Sequence, residues 1–108
     1  MILTTTDTIG NRNVTNVLGL VSGSSVRARH VGKDITAVFR NIVGGDVPEY
    51  TKLMAESREV ALARLTERAE GMGANAVVGL RIMTSMIMSG AAEILAYGTA
   101  VVVDDAAG

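Results

Sequence analysis

One stretch of the sequence, Asn41 to Leu80, constrains the fold of this 108-residue chain more than any other part. Its apolar residues recur at helical spacing, which predicts a long amphipathic helix over about residues 47–71. Asp46 and Glu49 stand at the N-cap and N3 positions of a capping box, and glycines follow the last periodic residue. A helix of this kind must bury its apolar face, so we expect the rest of the chain to provide a sheet for it to cover.

The segments around this helix favour β-structure. Residues 14–29 are mostly β-branched, small or hydroxylic, and their centre, residues 17–21, is predicted to be buried on both faces. In residues 76–88 the even-numbered positions are nearly all apolar, so that face is predicted to lie against the helices. Residues 94–103 are apolar on both faces. With a shorter helix predicted over residues 34–43, the pattern indicates an α+β fold whose antiparallel-rich sheet is covered by two helices.

The apolar last strand also predicts self-association. Hydrophobic residues make up 48% of the chain and charged residues only 19%, which is more apolar surface than one small domain readily buries. A strand without a polar face needs cover on both sides, and a second subunit is the simplest source of the second cover. We therefore expect one domain over residues 1–103 that forms a homo-oligomer, followed by a flexible C-terminal tail over residues 104–108.

Composition argues against several classes of partner and site. The net charge of −1 and the aromatic content of 3% favour neither nucleic acid nor a membrane surface as partner. The chain has no cysteine, which excludes a disulfide framework, a thiolate zinc site and a thiol nucleophile. The N-terminal residues lack the features of a signal peptide, and the uncharged apolar runs are shorter than the roughly 20 residues of a membrane span. A cytoplasmic protein is expected.

A small group of basic residues follows the second predicted strand. Arg27, Arg29 and His30 could form a cationic pocket for a phosphate or carboxylate ligand, because arginine makes fork-shaped contacts and histidine titrates near neutrality. The alternative is a solvated strand end or an intersubunit salt bridge. His30 is the single histidine of the chain, whereas a tight zinc site needs three or four ligands.

Two charged residues interrupt the apolar C-terminal third. Glu93 is a weak candidate for a general acid or base if the sheet buries it. The alternative is a structural ion pair with Arg81, formed across the hairpin or across a subunit boundary. The chain's serines and threonines have no histidine at a credible spacing, so no nucleophilic catalytic arrangement is predicted.

Methionines near the end of the third strand offer thioether sulfurs to a soft ion such as Cu(I). Met86 and Met88 share one face of the predicted strand, whereas Met83 points to the other. Packing in the core is the favoured interpretation of all three residues.

Several blocks of sequence carry a family resemblance. They are NIVGG at residues 41–45, ALARLTERAEGMGANAVVG at residues 61–79, GAAEILAYGTAV at residues 90–101, and GKDI at residues 32–35. Together they resemble the YbjQ-like family, whose members are described as "putative heavy-metal-binding" domains of unknown function. The resemblance implies a dodecin-like α+β subunit that closes into a homopentameric ring, with stacking of rings as a further option. It transfers no metal ligand set to this chain, and no cofactor is predicted.

The sequence leaves three hypotheses about function. The favoured one is a binding or structural module, a ring whose intersubunit clefts hold a small ligand or ion near Arg27, Arg29, His30, Arg81 and Glu93. The second is an enzyme whose site is shared between subunits, with Glu93 as acid or base and arginines as an anion clamp. The third is heavy-metal binding, as the family description suggests.

Overall fold

The structure, a computed structural model, describes residues 1–28, 48–88 and 91–105. In chain order its elements are β1 (Ile2–Leu3), β2 (Val14–Ala28), α1 (Pro48–Gly71), β3 (Ala76–Met88) and β4 (Ala91–Val103). The strands form one four-stranded sheet in the order β1-β3-β4-β2. β4 pairs antiparallel with both neighbours, and β1 pairs parallel with β3, so the α+β, antiparallel-rich fold is confirmed. The shorter helix predicted over residues 34–43 lies outside the described residues.

Helix α1 has the bounds and the C-terminal signals that its sequence predicts, whereas the predicted capping box of Asp46 and Glu49 lies outside what the structure describes. It begins at Pro48, where the missing amide hydrogen costs nothing, and it ends at Gly71. Gly73 then adopts a φ of 89°, and the chain turns through two hydrogen bonds: the Gly73 amide donates to the Glu70 carbonyl at 3.0 Å, and the Ala74 amide donates to the Ala69 carbonyl at 3.0 Å. This pattern is a Schellman motif, which satisfies carbonyls that the helix end would otherwise leave unpaired.

The buried face of α1 is narrow and made of small residues. Ser57, Ala61, Leu65 and Ala69 recur every four residues, and each is at most 1% exposed. The small side chains of Ser57, Ala61 and Ala69 allow the helix backbone to approach β2 closely at Gly23. A Cβ atom placed on Gly23 would lie 2.9 Å from the Leu65 Cα and would also contact the Leu65 nitrogen and the Ala61 carbonyl oxygen. Only glycine fits at this crossing of helix and strand.

Apolar side chains pack on both faces of the sheet. The cluster on the α1 side consists of residues from the helix, the turn after it and three strands: Val21, Ala61, Leu65, Ala69, Ala74, Val77, Leu80, Ile94, Ala96 and Ala100. A smaller cluster on the other side consists of Ala76, Val78, Val101 and Val103, with Ile2 and Ile9 packed against it. β4 is therefore an inner strand with apolar neighbours on both faces at its C-terminal end, as its two-faced pattern predicts.

A β-bulge at Gly79 changes which residues of β3 face the helix. Val78 pairs with Thr99, but the next pair is Arg81 with Tyr97, so β3 has one residue more than β4 between these pairs. Gly79 has a φ of 61°, a left-handed conformation that glycine adopts readily. The prediction that all even-numbered positions face the helix is therefore wrong before the bulge, where Ala76 and Val78 pack on the opposite side. Beyond the bulge, Leu80 joins the cluster on the α1 side.

The C-terminal segment that the sequence predicts to be flexible begins with an anchored residue. The Asn13 amide donates to Asp104 Oδ1 at 2.7 Å, the Asn13 side-chain nitrogen donates to Asp104 Oδ2 at 3.3 Å, and the Asp104 amide donates back to the Asn13 carbonyl at 3.0 Å. Residues 106–108 lie outside the described part of the chain.

Candidate functional site

The sheet face opposite α1 is the candidate site, and we call it the open face. Val101 packs in the cluster opposite α1, so its cross-strand partner Val17 and the alternate residues along β4 share its side of the sheet. The strand register extends this face away from β1 through three strands. Its members are Val17, Leu20, Ser22, Ser24 and Val26 of β2, Arg81, Met83 and Ser85 of β3, and Glu93, Leu95, Tyr97 and Thr99 of β4.

Large apolar side chains on the open face are exposed. Leu20 is 76% exposed, Val17 70%, Val26 54% and Met83 50%. Val17 and Leu20 are neighbours on this face, and Ser22 and Ser24 separate them from Val26. Exposed apolar surface marks interaction sites on proteins when it is extensive. The prediction that residues 17–21 are buried on both faces is therefore wrong for Val17 and Leu20, whereas Val21 is buried as predicted.

A second register shift explains why sequence patterning missed this surface. β2 gains one residue relative to β4 between the pairs Val17 with Val101 and Gly19 with Ala100. The extra residue, Leu18, packs with the cluster on the α1 side. Residues 17–21 can therefore be assigned to the correct faces of the sheet only if the register shift at Leu18 is known. A glycine within a strand is a sequence signal for such a register shift, and Gly19 directly follows Leu18. In the structure Gly19 has a φ of 123°.

Arg81 is positioned by backbone contacts. Its Nη1 donates to the carbonyl oxygens of Thr5 and Leu80, each at 2.9 Å, and this ties the segment after β1 to the start of the open face. Tyr97 is its cross-strand neighbour on β4. The guanidinium is exposed and has five donors, so it retains capacity to bind an anion.

Glu93 lies on the same face at a different point. It is half-buried, and its cross-strand neighbours are Val26 on β2 and Ser85 on β3. Arg81 and Ser85 are four residues apart along β3, which is about 13 Å of strand. The register therefore does not make Arg81 and Glu93 cross-strand partners within one subunit, although it places both on the open face.

The basic group predicted after the second strand is described only in part. Arg27 belongs to β2, where its backbone pairs with Ala92. The side chain of Arg27, and Arg29 and His30 entirely, lie outside the described part of the chain.

Met83 and Met86 of β3 are not core residues. Met83 pairs with Leu95 on the open face, and Met86 pairs with Ala92 on the α1 side. They are 50% and 58% exposed, so the prediction of core packing is wrong for both. Met83 is exposed because it lies on the face opposite α1. Met86 is exposed because, among the described elements, α1 packs mainly over β2 and β4. The side chain of Met88 lies outside the described residues.

Within residues 1–28, 48–88 and 91–105, no group of three or more His, Cys, Asp or Glu residues is placed to hold a metal ion. In the same ranges, no helix has both the length and the apolar character needed to cross a membrane.

Fold and surface together define a class: a small α+β protein with a mixed four-stranded sheet, a long helix on one face and exposed apolar side chains on the other. The chain belongs to the YbjQ family, because the family model described as "Putative heavy-metal-binding" matches residues 1–104. The resemblance inferred from the sequence blocks is thereby confirmed.

Relatives and a solved structure agree with this assignment. The chain is 56% identical over 101 residues to a UPF0145 protein of Methanosarcina acetivorans, covering 94% of this chain and 95% of that protein. It is 50% identical over 105 residues to a UPF0145 protein of Clostridioides difficile, covering 97% and 94%. A crystal structure from Pediococcus pentosaceus, titled as a protein of unknown function of the DUF74 family, matches with a TM-score of 0.62 at 17% identity. That match covers 96% of this chain and 98% of the other, and it supports the fold.

Proposed function

We propose that this protein is a homo-oligomeric ring, a homopentamer, that serves as a binding or structural module with small-ligand or ion sites between subunits. The observation that carries the proposal is the open face, where four large apolar side chains are each at least half exposed. A neighbouring subunit would remove this surface from water, and the hydrophobic effect favours such burial.

The shape of the chain supports self-association. Its radius of gyration is 17.3 Å, whereas a compact domain of this length has a radius of about 13 Å. The extents of 55 × 24 × 15 Å describe a long, thin slab. A slab of this kind buries less of its surface than a sphere does, and packing against copies of itself compensates for the difference.

The charges on the open face are what such an assembly would use to bind a ligand. Arg81 is fixed by two backbone hydrogen bonds and supplies a positive group at one end of the face, while Glu93 supplies a carboxylate at the other. Any subunit packed on this face would approach both groups, so a cleft at that contact has an anion-binding end and a cation-binding end.

A charge on the open face tests the assembly. Leu20→Glu places a carboxylate on the most exposed apolar residue of that face, where burial by a neighbour would cost several kcal/mol. Met72→Glu is the matched control, because Met72 is a 38% exposed apolar residue in the turn after α1. Native mass spectrometry and sedimentation velocity are expected to show a pentamer for the wild type and for Met72→Glu, and smaller species for Leu20→Glu. A monomeric wild type at micromolar concentration would overturn the proposal, as would a Leu20→Glu variant that keeps the wild-type mass.

Heavy-metal binding is a second proposal, carried by the family description. Met83 favours it, because this thioether is half exposed on the open face and a ring would bring several copies together. Added Cu(I) is then expected to raise the melting temperature of the wild type in a concentration-dependent manner and to have a smaller effect on Met83→Leu. Equal shifts in the two proteins, or no shift in either, would refute a metal site that uses Met83.

A further inference from the structure

The outer edge of β2 is occupied by two arginines of α1. Arg64 Nη1 donates to the Ser24 carbonyl oxygen at 2.6 Å, and Arg68 Nη1 donates to the Ser22 carbonyl oxygen at 3.2 Å. Among the described residues β2 is the last strand of the sheet. The carbonyls along a strand of an antiparallel pair point alternately toward its partner and away from it. Both arginines are exposed, so the carbonyls that they reach are those that point away from β4.

The spacing of helix and strand makes this double contact possible. Four residues of an α-helix rise about 6 Å, and two residues of a strand advance about 6.6 Å. Arg64 and Arg68 are four apart on α1, and Ser24 and Ser22 are two apart on β2, so two successive outward carbonyls each receive a guanidinium. The close seating of α1 at Gly23, between the two serines, holds the helix at the height that this arrangement needs.

We infer that Arg64 and Arg68 close the β2 edge against the addition of a strand from another molecule. An uncovered edge strand offers unpaired amide and carbonyl groups, and it is a template for uncontrolled pairing. Here the guanidinium groups occupy the carbonyls and place charge where an incoming strand would lie. The closure does not depend on the proposed ring, because a monomer with this sheet would need the same protection.

The outer edge of β3 differs within the described residues. The segment at and after β1 pairs with β3 as far as Leu80, where the Gly79 amide donates to the Thr6 carbonyl and the Leu80 amide donates to the Thr4 carbonyl. The next residue, Arg81, donates to the Thr5 carbonyl, and residues 82–86 beyond it are uncharged. Among the described residues, the β2 edge is therefore the one whose carbonyls are occupied by arginines of α1.

A double variant tests the inference. Arg64→Ala with Arg68→Ala removes both hydrogen-bonded groups, and Lys52→Ala with Arg58→Ala is the matched control, because Lys52 and Arg58 are exposed cations of the same helix. Each pair of substitutions takes the formal net charge from −1 to −3. A larger net charge opposes association, so any gain in self-association must come from the opened edge.

Light scattering and sedimentation velocity of the full chain provide the measurement. The Arg64/Arg68 variant is expected to form species larger than the wild-type assembly at a rate at least tenfold higher, while circular dichroism shows a folded protein. The control variant is expected to behave like the wild type. An Arg64/Arg68 variant with the wild-type size distribution and scattering rate would overturn the inference, and so would an equal increase in the control.

Two additional variants keep the test decisive. If the double alanine variant does not fold, Arg68→Ala alone removes the longer of the two bonds, and unchanged association would then overturn the inference. Arg64→Lys with Arg68→Lys retains charge and a hydrogen-bond donor at both sites, so it is expected to restore most of the wild-type behaviour. Failure of the Leu20→Glu test of the ring would leave these outcomes unaffected.

Discussion

Replacing Gly23 by alanine should separate α1 from the sheet. The added Cβ would lie 2.9 Å from the Leu65 Cα, whereas carbon atoms pack comfortably at about 3.5–4.0 Å. The shortfall is about 0.6 Å at this atom, and the Leu65 nitrogen and the Ala61 carbonyl oxygen are closer still. All three are backbone atoms, so no side chain can rotate away and the helix itself must move.

The expected cost follows from this geometry. Overpacking a core commonly destabilises a protein by about 1–3 kcal/mol, and a rigid obstacle places Gly23→Ala near the top of that range. A gap of 0.5–1 Å under the helix also forfeits about a quarter to a half of the dispersion energy of the contacts it opens, which are those of Ala61, Leu65 and Ala69. Alanine recovers up to about 1 kcal/mol through its lower entropy in the unfolded chain. A net loss of about 2–3 kcal/mol is a large part of the 5–15 kcal/mol that a domain usually has.

Urea denaturation at fixed protein concentration measures this loss, because assembly would make the midpoint depend on concentration. With a slope of about 1–3 kcal/mol/M, the midpoint should fall by about 1 M or more. Gly71→Ala is the matched control: an added Cβ there meets nothing within 4 Å, so stability should be unchanged or rise by up to about 1 kcal/mol. If Gly23→Ala stays within about 0.5 kcal/mol of the wild type, the close approach of helix and strand is refuted.

Three further substitutions probe other parts of the fold. Leu65→Ala empties a fully buried position in the helix stripe and should lower the free energy of unfolding by about 2–5 kcal/mol, which urea denaturation would show; a loss below 1 kcal/mol would mean that this position is not packed. Gly79→Ala forces a side chain into a left-handed conformation and should cost about 1–2 kcal/mol by the same assay, whereas an unchanged midpoint would argue against the bulge. Asp104→Ala removes the acceptor of two hydrogen bonds from Asn13 and should cost about 1 kcal/mol, with faster hydrogen exchange at the Asn13 amide as its specific sign; an unchanged exchange rate would contradict the anchoring of this segment.

The long helix could be predicted from the sequence because its signals are local. The apolar period, the proline at the start and the glycines at the end are all readable within residues 47–73, and the structure places α1 at Pro48–Gly71. The two-faced apolar pattern of residues 94–103 predicts a strand that is covered on both faces, and the C-terminal end of β4 has an apolar cluster on each face. In these segments local preference and tertiary packing agree.

The faces of β2 and β3 could not be predicted by alternation alone. Each strand gains a residue relative to β4 at two points: β2 between Val14 and Asn16 and at Leu18, and β3 at Gly79 and between Met86 and Met88. A shift of one residue moves the following side chains to the other face. The exposure of Leu20 and of Met83 depends on the same register, because it places both side chains on the face opposite α1. Of the candidate site, Arg81 and Glu93 were identified as charges in an apolar region, but their separation along the open face required the register.

Because of the β-bulge, the fold is expected to tolerate deletion of Gly79 better than its replacement by a bulky residue. Val77 and Leu80 face α1, and Val78 and Arg81 lie on the opposite face. If residue 79 were deleted, the remaining residues of β3 would therefore alternate between the two faces without interruption. A shortened strand would lose the local kink and the bond from the Gly79 amide to Thr6, yet every neighbour would keep its orientation. A β-branched residue at this position, such as valine, would instead disfavour the left-handed conformation and favour a regular strand. Without the bulge, the side chains of β3 after residue 79 would move to the opposite face of the sheet.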